Sequence, residues 1–243
     1  MTRRRFFAPP SAFNFGKRLV TLTSDEARHL REVLRLKRGD EVQVFDGSGR
    51  EFRAIVAQAR RDFAELEIRD EIEPLKPESP LQLTLAVALL KGEKFDLVVQ
   101  KGTELGVNRF IPLVTRYADI KLRDDADAAK RVTRWQRIAL EAAKQCGRSV
   151  VPEVNTPVSF ESVLSENACI MFSERGGESL NSDLESQSVT AIVGSEGGWS
   201  DEELTQAREA GVPIVTLGGR VLRAETAAIA AAVLLQHLYG DLK

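Results

Sequence analysis

Residues 192–204, IVGSEGGWSDEEL, have the pattern of a buried strand, a glycine-rich loop and the start of a helix. Proteins commonly hold nucleotide phosphates with a strand, a glycine turn and a helix N-terminus in this order. This loop, however, has Glu196 where a phosphate site would need a lysine, and it contains no basic residue. The stretch therefore predicts a ligand site of the strand–loop–helix kind whose charge does not suit a phosphate.

The end of the same stretch can be explained without a ligand. Ser200 and Glu203 form the S-x-x-E pattern of a capping box, and acidic residues in a first turn suit the helix dipole. Capping does not account for Gly194, Gly197 and Gly198, which allow a sharp turn or a close approach of the backbone to a ligand. A glycine-rich turn is a weak signal by itself, so the neighbouring loops have to be considered with it.

Residues 81–243 alternate apolar runs with helical segments. Strands rich in Val, Ile and Leu that alternate with helices predict an α/β fold with a mostly parallel sheet covered on both faces. Ligands of such sheets lie beyond the carboxyl ends of the strands. Three loops leave predicted strands, and each contains paired glycines: 172–178, 194–200 and 217–227.

The third of these loops carries charged residues that could act on a ligand. Arg220 and Arg223 lie beside Glu225 and Thr226, just before a long Ala-rich helix. An arginine in a loop that leaves a strand can stabilise a developing negative charge. The alternative is an ordinary helix N-terminus, in which Glu225 interacts with the helix dipole. The alanines of this helix predict close packing in the core or at a subunit contact.

The N-terminal part of the chain has a different pattern. Residues 1–73 show short alternating strands, one helical segment over 24–36 and a hairpin signal at 46–49, which favour a small β-barrel. Residues 74–80 are rich in proline and are interpreted as a linker. We therefore predict an N-terminal barrel over 1–73 and an α/β domain over 81–243.

Charge is distributed unevenly along the chain, although the net charge is only −2. Residues 1–40 contain ten Lys/Arg and four Asp/Glu, residues 81–150 contain thirteen and eight, and residues 151–216 contain two and twelve. Such segregation indicates that one surface meets a polyanion, the alternative being a solvated basic face without a partner.

Several classes of function are disfavoured by what the sequence lacks. There is no GxxxxGK[ST] pattern of a P-loop and no clean GxGxxG pattern after the first strand of the α/β domain, which leaves a dinucleotide site poorly supported. A phosphate-free ligand that carries an adenosine or a positive charge fits the three loops. S-adenosylmethionine has both features, so elimination ranks it first without excluding other ligands.

The sequence also lacks the patterns typical of membrane proteins, secreted proteins and metal sites. The sequence contains no run of 18 apolar residues, so no membrane span is predicted. The basic N-terminus lacks the apolar region of a signal peptide. Cys146 and Cys169 do not have the spacing of metal ligands. We expect a cytoplasmic protein with reduced cysteines and no metal.

The two C-terminal motifs, GSEGGWSDEE and LGGRVLRAETA, are similar to those of the SPOUT methyltransferases. Together with RRRFF (3–7), ARHLREVLRLKRGDEV (27–42), KGEKFDLVVQKGTELGV (91–107) and EAAKQCGRSVVPEV (141–154), they resemble the RsmE family of 16S rRNA (uracil-N3)-methyltransferases. The resemblance extends through nearly the whole chain. It implies a PUA-like β-barrel followed by a SPOUT domain with a C-terminal trefoil knot, a homodimer, and S-adenosylmethionine bound by the knotted loops.

The resemblance also implies which residues bind the cofactor. They are Phe172, Gly194, Glu196, Gly197, Gly198, Leu217, Gly218, Val221, Leu222, Arg223, Thr226 and Ala227. The chain departs from the expected pattern at two positions, since Ser195 and Gly219 stand where proline is expected. More conformational freedom in both loops follows from these departures.

The implied reaction is attack of uridine N3 on a sulfonium methyl group, for which the N3 proton must be removed. We expect Arg223 to stabilise charge near the uracil oxygens. Glu225 is a candidate proton acceptor, with Glu196 and hydroxide as alternatives.

RNA binding is expected to use the basic segments, with Phe6 or Phe7 available for stacking on bases. The candidate contacts are Arg3, Arg4, Arg5, Phe6, Arg28, His29, Arg31, Arg35, Lys91, Lys94, Lys101 and Arg148. His29 could equally be a solvated histidine, and the phenylalanines could belong to the barrel core. Two other functions stay open: an RNA-binding protein without catalysis, and a dinucleotide-dependent oxidoreductase.

Overall fold

A computed structural model describes residues 4–74, 76–166, 168–180 and 186–243 of the chain. Within them the chain divides into two compact units, one of Met1–Glu78 with Ala143–Val151 and one of Ser79–Ala142 with Pro152–Lys243. The domain boundaries predicted from the sequence do not place residues 143–151 in the first unit. This assignment depends on contacts with residues that are distant in sequence. Arg3, and Leu75 of the predicted linker, lie outside the described residues.

The first unit is built on a six-stranded sheet with the strand order β1-β4-β5-β6-β3-β2. Strands β1 and β4 are parallel and the other neighbours are antiparallel. The strands are β1 (Arg5–Phe7), β2 (Phe13–Asn14), β3 (Leu19–Leu22), β4 (Glu41–Phe45), β5 (Glu51–Ala59) and β6 (Ala64–Ile72). The predicted turn at 46–49 joins β4 to β5, where the Asp46 carboxylate accepts hydrogen bonds from the backbone N–H groups of Ser48 (2.8 Å) and Arg50 (3.2 Å).

The single helix predicted over 24–36 is shorter and less regular than expected. Helix α1 covers Ser24–Arg28, and the chain continues as a π-helical turn over His29–Val33. Arg35 then adopts a left-handed φ of 53°, which ends the helical segment. Apolar side chains of the strands and of this segment form the core of the unit, among them Phe6, Leu30 and Leu66, which are fully buried.

The second unit contains a parallel sheet with the order β10-β8-β7-β12-β11-β13, with β9 paired to β8. All pairs recorded among its described strands are parallel, as predicted for an α/β fold. Its strands are β7 (Gln82–Ala88), β8 (Val107–Val114), β9 (Glu153–Val154), β10 (Val158–Ser159), β11 (Cys169–Phe172), β12 (Ser188–Val193) and β13 (Ile214–Val215).

The helices that accompany this sheet are α2 (Lys94–Glu104), α3 (Asp125–Cys146), α4 (Phe160–Val163), α5 (Asp201–Glu209) and α6 (Ala224–Tyr239). Four of the alanines of α6 are buried, and this helix packs against α2 and against β7 and β12. Because β12, β11 and β13 are neighbours and parallel, the loops that follow them start side by side at one edge of the sheet.

Candidate functional site

The loops that follow β11, β12 and β13 enclose a cleft with a volume of about 270 Å³. All three glycine-containing loops singled out in the sequence contribute to it, which follows from the neighbouring positions of their strands. The residues that line the cleft are Phe172, Ser173, Glu174, Val193, Gly194, Ser195, Glu196, Gly197, Gly198, Trp199, Thr216, Leu217, Gly218, Gly219, Arg220, Val221, Leu222, Ala224 and Ala227.

Most of the predicted cofactor residues lie in this lining. The structure brings together Phe172, Gly194, Glu196, Gly197, Gly198, Leu217, Gly218, Val221, Leu222 and Ala227. Arg223 and Thr226 are not in the lining, and both are exposed at the start of α6. Sequence reasoning did not single out Trp199, although it lies inside the loop motif and its size and apolar character indicate a packing role.

Trp199 connects two of the three loops. Its side chain is buried, and its indole Nε1 donates a 2.9 Å hydrogen bond to the carbonyl oxygen of Phe172 at the end of β11. The ring also packs against Phe160, with 5.1 Å between ring centroids. A Cβ atom on Gly194 would lie 3.0 Å from the indole ring, so a larger residue there would displace Trp199.

Close contacts also favour glycine at the other two glycine positions of the 194–200 loop. Gly198 has a φ of +70°, and a Cβ atom there would lie 3.0 Å from Oε1 of Glu174. A Cβ atom on Gly197 would lie 2.7 Å from Cβ of Tyr117. The backbone of this loop is therefore closely packed by its neighbours, which fixes its path along the cleft.

The predicted capping box is confirmed at the start of α5. The Ser200 hydroxyl accepts from the backbone N–H of Glu203 (3.2 Å), and the Glu203 carboxylate accepts from the backbone N–H of Ser200 (2.9 Å). The second Glu203 oxygen accepts a 2.9 Å hydrogen bond from the backbone N–H of Arg116. Glu203 therefore also ties the helix to the segment after β8, a contact that the capping pattern does not predict.

A lysine does lie at the acidic loop, which corrects the interpretation made from the sequence. Nζ of Lys94, in the first turn of α2, lies 2.6 Å from Oε1 of Glu196 and 3.8 Å from Oε2 of Glu225. The hydrogen bond to Glu196 raises the pKa of Lys94, so the lysine is cationic at neutral pH. The loop lacks a basic residue because this one comes from a helix 102 residues away in sequence.

Three of the predicted RNA contacts are corrected by the structure because their side chains are buried in the first unit. The Arg5 guanidinium is 2% exposed and donates to both carboxylate oxygens of Glu51, at 2.8 and 3.0 Å. Phe6 is fully buried in the core. Arg148 is also buried and forms an ion pair with Glu78 at 2.6 Å. None of the three presents a surface to RNA.

The remaining predicted RNA contacts are at least partly accessible. Arg4, Arg28 and Arg35 are exposed in the first unit, with Arg31 and His29 half-buried. Lys91 is exposed and Lys101 half-buried in the second unit. Several of them have an acidic neighbour, such as Asp40 at 3.4 Å from Arg4, but exposed ion pairs of this kind are weak and can be exchanged for phosphate contacts.

Among the described residues, no group of three or more His, Cys, Asp or Glu side chains is arranged to hold a metal ion. Within the same part of the chain, no helix combines the length and the apolar character that crossing a membrane requires.

Comparison with known proteins places this geometry among RNA-modifying enzymes. Residues 77–236 match the RNA methyltransferase domain family, and residues 22–69 match the RNA methyltransferase PUA domain family. A curated relative from Synechocystis, Ribosomal RNA small subunit methyltransferase E, is 36% identical over 86% of this chain and 69% of its own length.

Two solved structures are similar over the whole chain. The ribosomal RNA small subunit methyltransferase E of Neisseria gonorrhoeae, bound to S-adenosyl methionine, is 35% identical with a TM-score of 0.87, over 99% of this chain and 100% of that one. A Legionella pneumophila protein in complex with its bound cofactor SAM is 32% identical with a TM-score of 0.88, over 100% of both chains.

Proposed function

This chain belongs to the RNA methyltransferase family, and on that premise we propose that it transfers a methyl group from S-adenosylmethionine to N3 of a uridine in small-subunit ribosomal RNA. The observation that carries the proposal is the cleft formed by the three glycine loops at the carboxyl ends of β11, β12 and β13. The family resemblance and the α/β fold predicted from the sequence are confirmed. The atom that is methylated is carried over from the resemblance.

The residues of the cleft fit this cofactor. Phe172, Leu217 and Leu222 offer apolar surface for an adenine, and Glu196 offers a carboxylate to a positive charge. Oγ of Ser195 is buried and has no hydrogen-bond partner among the described residues, as expected for a group that is satisfied only when a ligand is present. When bound, S-adenosylmethionine supplies an electrophilic methyl carbon attached to a positively charged sulfur.

The residues of the chain have to bind the uracil and handle its N3 proton. Arg223 is exposed at the start of α6, beside the cleft, where its guanidinium can hydrogen-bond the uracil oxygens and stabilise the negative charge left when N3 loses its proton. Glu225 lies two residues further on, and Lys94 lies between it and Glu196. The site therefore contains an anion stabiliser and two candidate proton acceptors.

The first unit is proposed to bind the ribosomal RNA through its exposed arginines. An exposed aromatic side chain of the first unit that can stack on a base is Phe15, which is 51% exposed, whereas Phe6 is fully buried. Its ring stacks against Phe13 with 5.7 Å between centroids, and the Arg50 guanidinium lies 5.0 Å from the Phe15 centroid. A supported ring with a neighbouring cation is a suitable platform for an unpaired base.

A homodimer and a knotted path through the C-terminal loops complete the proposal. Val221, at the edge of the cleft, is 82% exposed, which supports a surface that is covered by a second copy of the chain. Sedimentation equilibrium tests this point, since a dimer mass is expected at micromolar concentration. A monomer that retains full methyl transfer would contradict the dimer.

The reaction itself is tested with S-adenosylmethionine labelled in the methyl group. The protein is incubated with 16S rRNA and, separately, with small ribosomal subunits, and the RNA is digested to nucleosides. We expect label in N3-methyluridine from at least one of the two substrates. Label in another nucleoside would overturn the assigned atom, and cofactor binding without any transfer would favour the non-catalytic RNA-binding protein. Calorimetric binding of NAD but not of S-adenosylmethionine would overturn the proposed chemistry altogether.

A further inference from the structure

We propose that Lys94 is a positioning residue that engages Glu196 and thereby leaves Glu225 as the acceptor of the uracil N3 proton. The inference rests on the proposed function, and it chooses between acceptors that neither the sequence nor the family resemblance distinguishes. It also gives Lys94 a role inside the site, where the sequence had suggested an RNA contact.

The position of Lys94 links two walls of the cleft. Glu196 belongs to the loop after β12, whereas Glu225 lies in the first turn of α6. The ammonium group of Lys94, in α2, is within ion-pair distance of both carboxylates. The two carboxylates are also well shielded from solvent, with 24% and 13% of their side chains exposed. A cation placed between two partly buried carboxylates reduces their mutual repulsion, so both can lie close together at the cleft.

The two glutamates differ in the hydrogen bonds that their carboxylate oxygens accept. Oε1 of Glu196 accepts a 2.6 Å hydrogen bond from Lys94. Oε2 of Glu225 is buried and accepts no hydrogen bond among the described residues, and Lys94 lies 3.8 Å away. A buried carboxylate oxygen without a donor is costly, so it indicates a position that a bound molecule completes. An imide N–H of uracil is a donor of the required kind.

Glu225 also lies at a helix N-terminus. It is the second residue of α6, where the free N–H groups and the helix dipole stabilise a negative charge. In the proposed step the N3–H bond breaks, its electron pair stays on N3, and an O–H bond forms at Oε2 of Glu225. Lys94 keeps its hydrogen bond to Glu196 throughout, and the proton on Glu225 is afterwards released to water.

Four substitutions test these roles against matched controls. Glu225→Gln is expected to lower kcat by about 100-fold or more, whereas Glu196→Gln lowers it by less than about tenfold. Glu202→Gln changes the corresponding second position of α5, which is exposed, and controls for the loss of a helix-dipole interaction. Lys94→Met is expected to lower kcat by about tenfold, Lys94→Arg restores most of it, and Lys130→Met controls for the loss of an exposed lysine.

The split between kcat and KM separates positioning from mere stabilisation. Without Lys94, the Glu225 and Glu196 carboxylates lie close together with no ammonium group within ion-pair distance of both, so the side chain of Glu225 is expected to move away from Glu196. In Lys94→Met kcat should therefore fall while KM for the RNA stays within about twofold, and Lys94→Arg should restore kcat. The double variant Lys94→Met/Glu225→Gln should be no slower than Glu225→Gln alone.

A second readout does not depend on turnover. The carboxyl ¹³C shift of Glu225 in the cofactor-free protein at neutral pH, assigned through Glu225→Gln, should differ between Lys94→Met and the wild type and return in Lys94→Arg. An unchanged ¹³C shift, an additive double variant, or a larger loss of kcat in Glu196→Gln than in Glu225→Gln would each overturn the inference. A wild-type protein that methylates no ribosomal RNA would instead overturn the proposed function, while the ¹³C shift would still report on Lys94.

Discussion

Trp199 and Phe172 are joined by a hydrogen bond from the indole Nε1 to the backbone carbonyl oxygen, 2.9 Å long and buried. The bond connects the loop after β12 to the end of β11, and both residues line the cleft. Since the Trp199 ring also lies against the backbone of Gly194, it holds two walls of the cleft at a fixed separation. Cofactor affinity should therefore depend on a side chain whose main contacts are with the protein.

Replacing Trp199 with phenylalanine removes this hydrogen bond and part of the ring volume. We expect the free energy of unfolding to fall by about 2 kcal/mol and S-adenosylmethionine to bind about tenfold more weakly. Trp135→Phe is the matched control, because that indole is also buried and donates a 3.0 Å hydrogen bond, but to Asp96 in place of a cleft residue. Urea unfolding and calorimetry measure the two effects, and equal affinities in both variants would contradict the role of Trp199.

Gly198 can be tested against a glycine with the same backbone conformation. Gly198 and Gly211 both have a φ of +70°, but only at Gly198 would a Cβ atom meet a neighbour, Oε1 of Glu174 at 3.0 Å. Alanine at either position should cost about 1 kcal/mol of stability. Gly198→Ala should in addition weaken S-adenosylmethionine binding by about tenfold, measured by calorimetry, because the shift occurs in the cleft lining. If Gly211→Ala weakened binding equally, the effect would be one of general stability.

Arg5 is expected to behave as a structural residue. Arg5→Met removes the guanidinium that neutralises the buried Glu51 carboxylate and that packs 3.9 Å from the Phe45 ring centroid. The free energy of unfolding should fall by about 3–5 kcal/mol. Arg4→Met, one residue earlier and exposed, should change stability by less than about 0.5 kcal/mol but weaken RNA binding. Denaturant titration and RNA binding at fixed salt measure both, and an unchanged stability of Arg5→Met would exclude a structural role.

Arg223→Ala should separate catalysis from cofactor binding. Arg223 is exposed and does not line the cleft, so the Kd for S-adenosylmethionine should change by less than about threefold. Loss of the anion-stabilising guanidinium should lower kcat by about 100-fold. Single-turnover methyl transfer and calorimetry measure the two quantities. A kcat within twofold of the wild type would remove Arg223 from the reaction.

Phe15→Ala should weaken RNA binding without affecting the chemistry. Loss of one stacking partner costs about 1–3 kcal/mol of binding free energy. Phe15→Tyr keeps the ring and should bind as tightly as the wild type. Fluorescence anisotropy with a ribosomal RNA fragment, at one salt concentration for all variants, measures the affinities. Equal affinities for the alanine and tyrosine variants would exclude the stacking role.

The features that could be predicted from the sequence are those determined by short-range patterns. The Ser200–Glu203 capping box is formed as expected, and the turn predicted at 46–49 joins β4 to β5. The meeting of three glycine loops was predictable for a more general reason, namely that parallel strands end at a common edge. Local periodicity and one topological rule were therefore sufficient to locate the cleft.

The features that were missed depend on contacts between distant residues. A basic run has the same composition whether its arginines are solvated or paired, so the burial of Arg5 against Glu51 could not be seen in RRRFF. The acidic 194–200 loop likewise gave no sign that Lys94 approaches it from α2. Both errors concern charge, because an ion pair is defined by a partner whose distance in sequence is arbitrary.

The assignment of residues 143–151 to the first unit has a consequence for how such a protein can be divided. The Arg5 guanidinium donates to the carbonyl oxygen of Arg148 (2.9 Å) and to the Ser149 hydroxyl (3.0 Å), so this buried side chain finds acceptors in residues encoded after the first segment of the second unit. Gene fusion and recombination move uninterrupted segments. A fragment that stops at residue 78 would carry every strand of the sheet but none of the acceptors contributed by 148 and 149, and transplanting this unit into another protein requires two pieces of coding sequence.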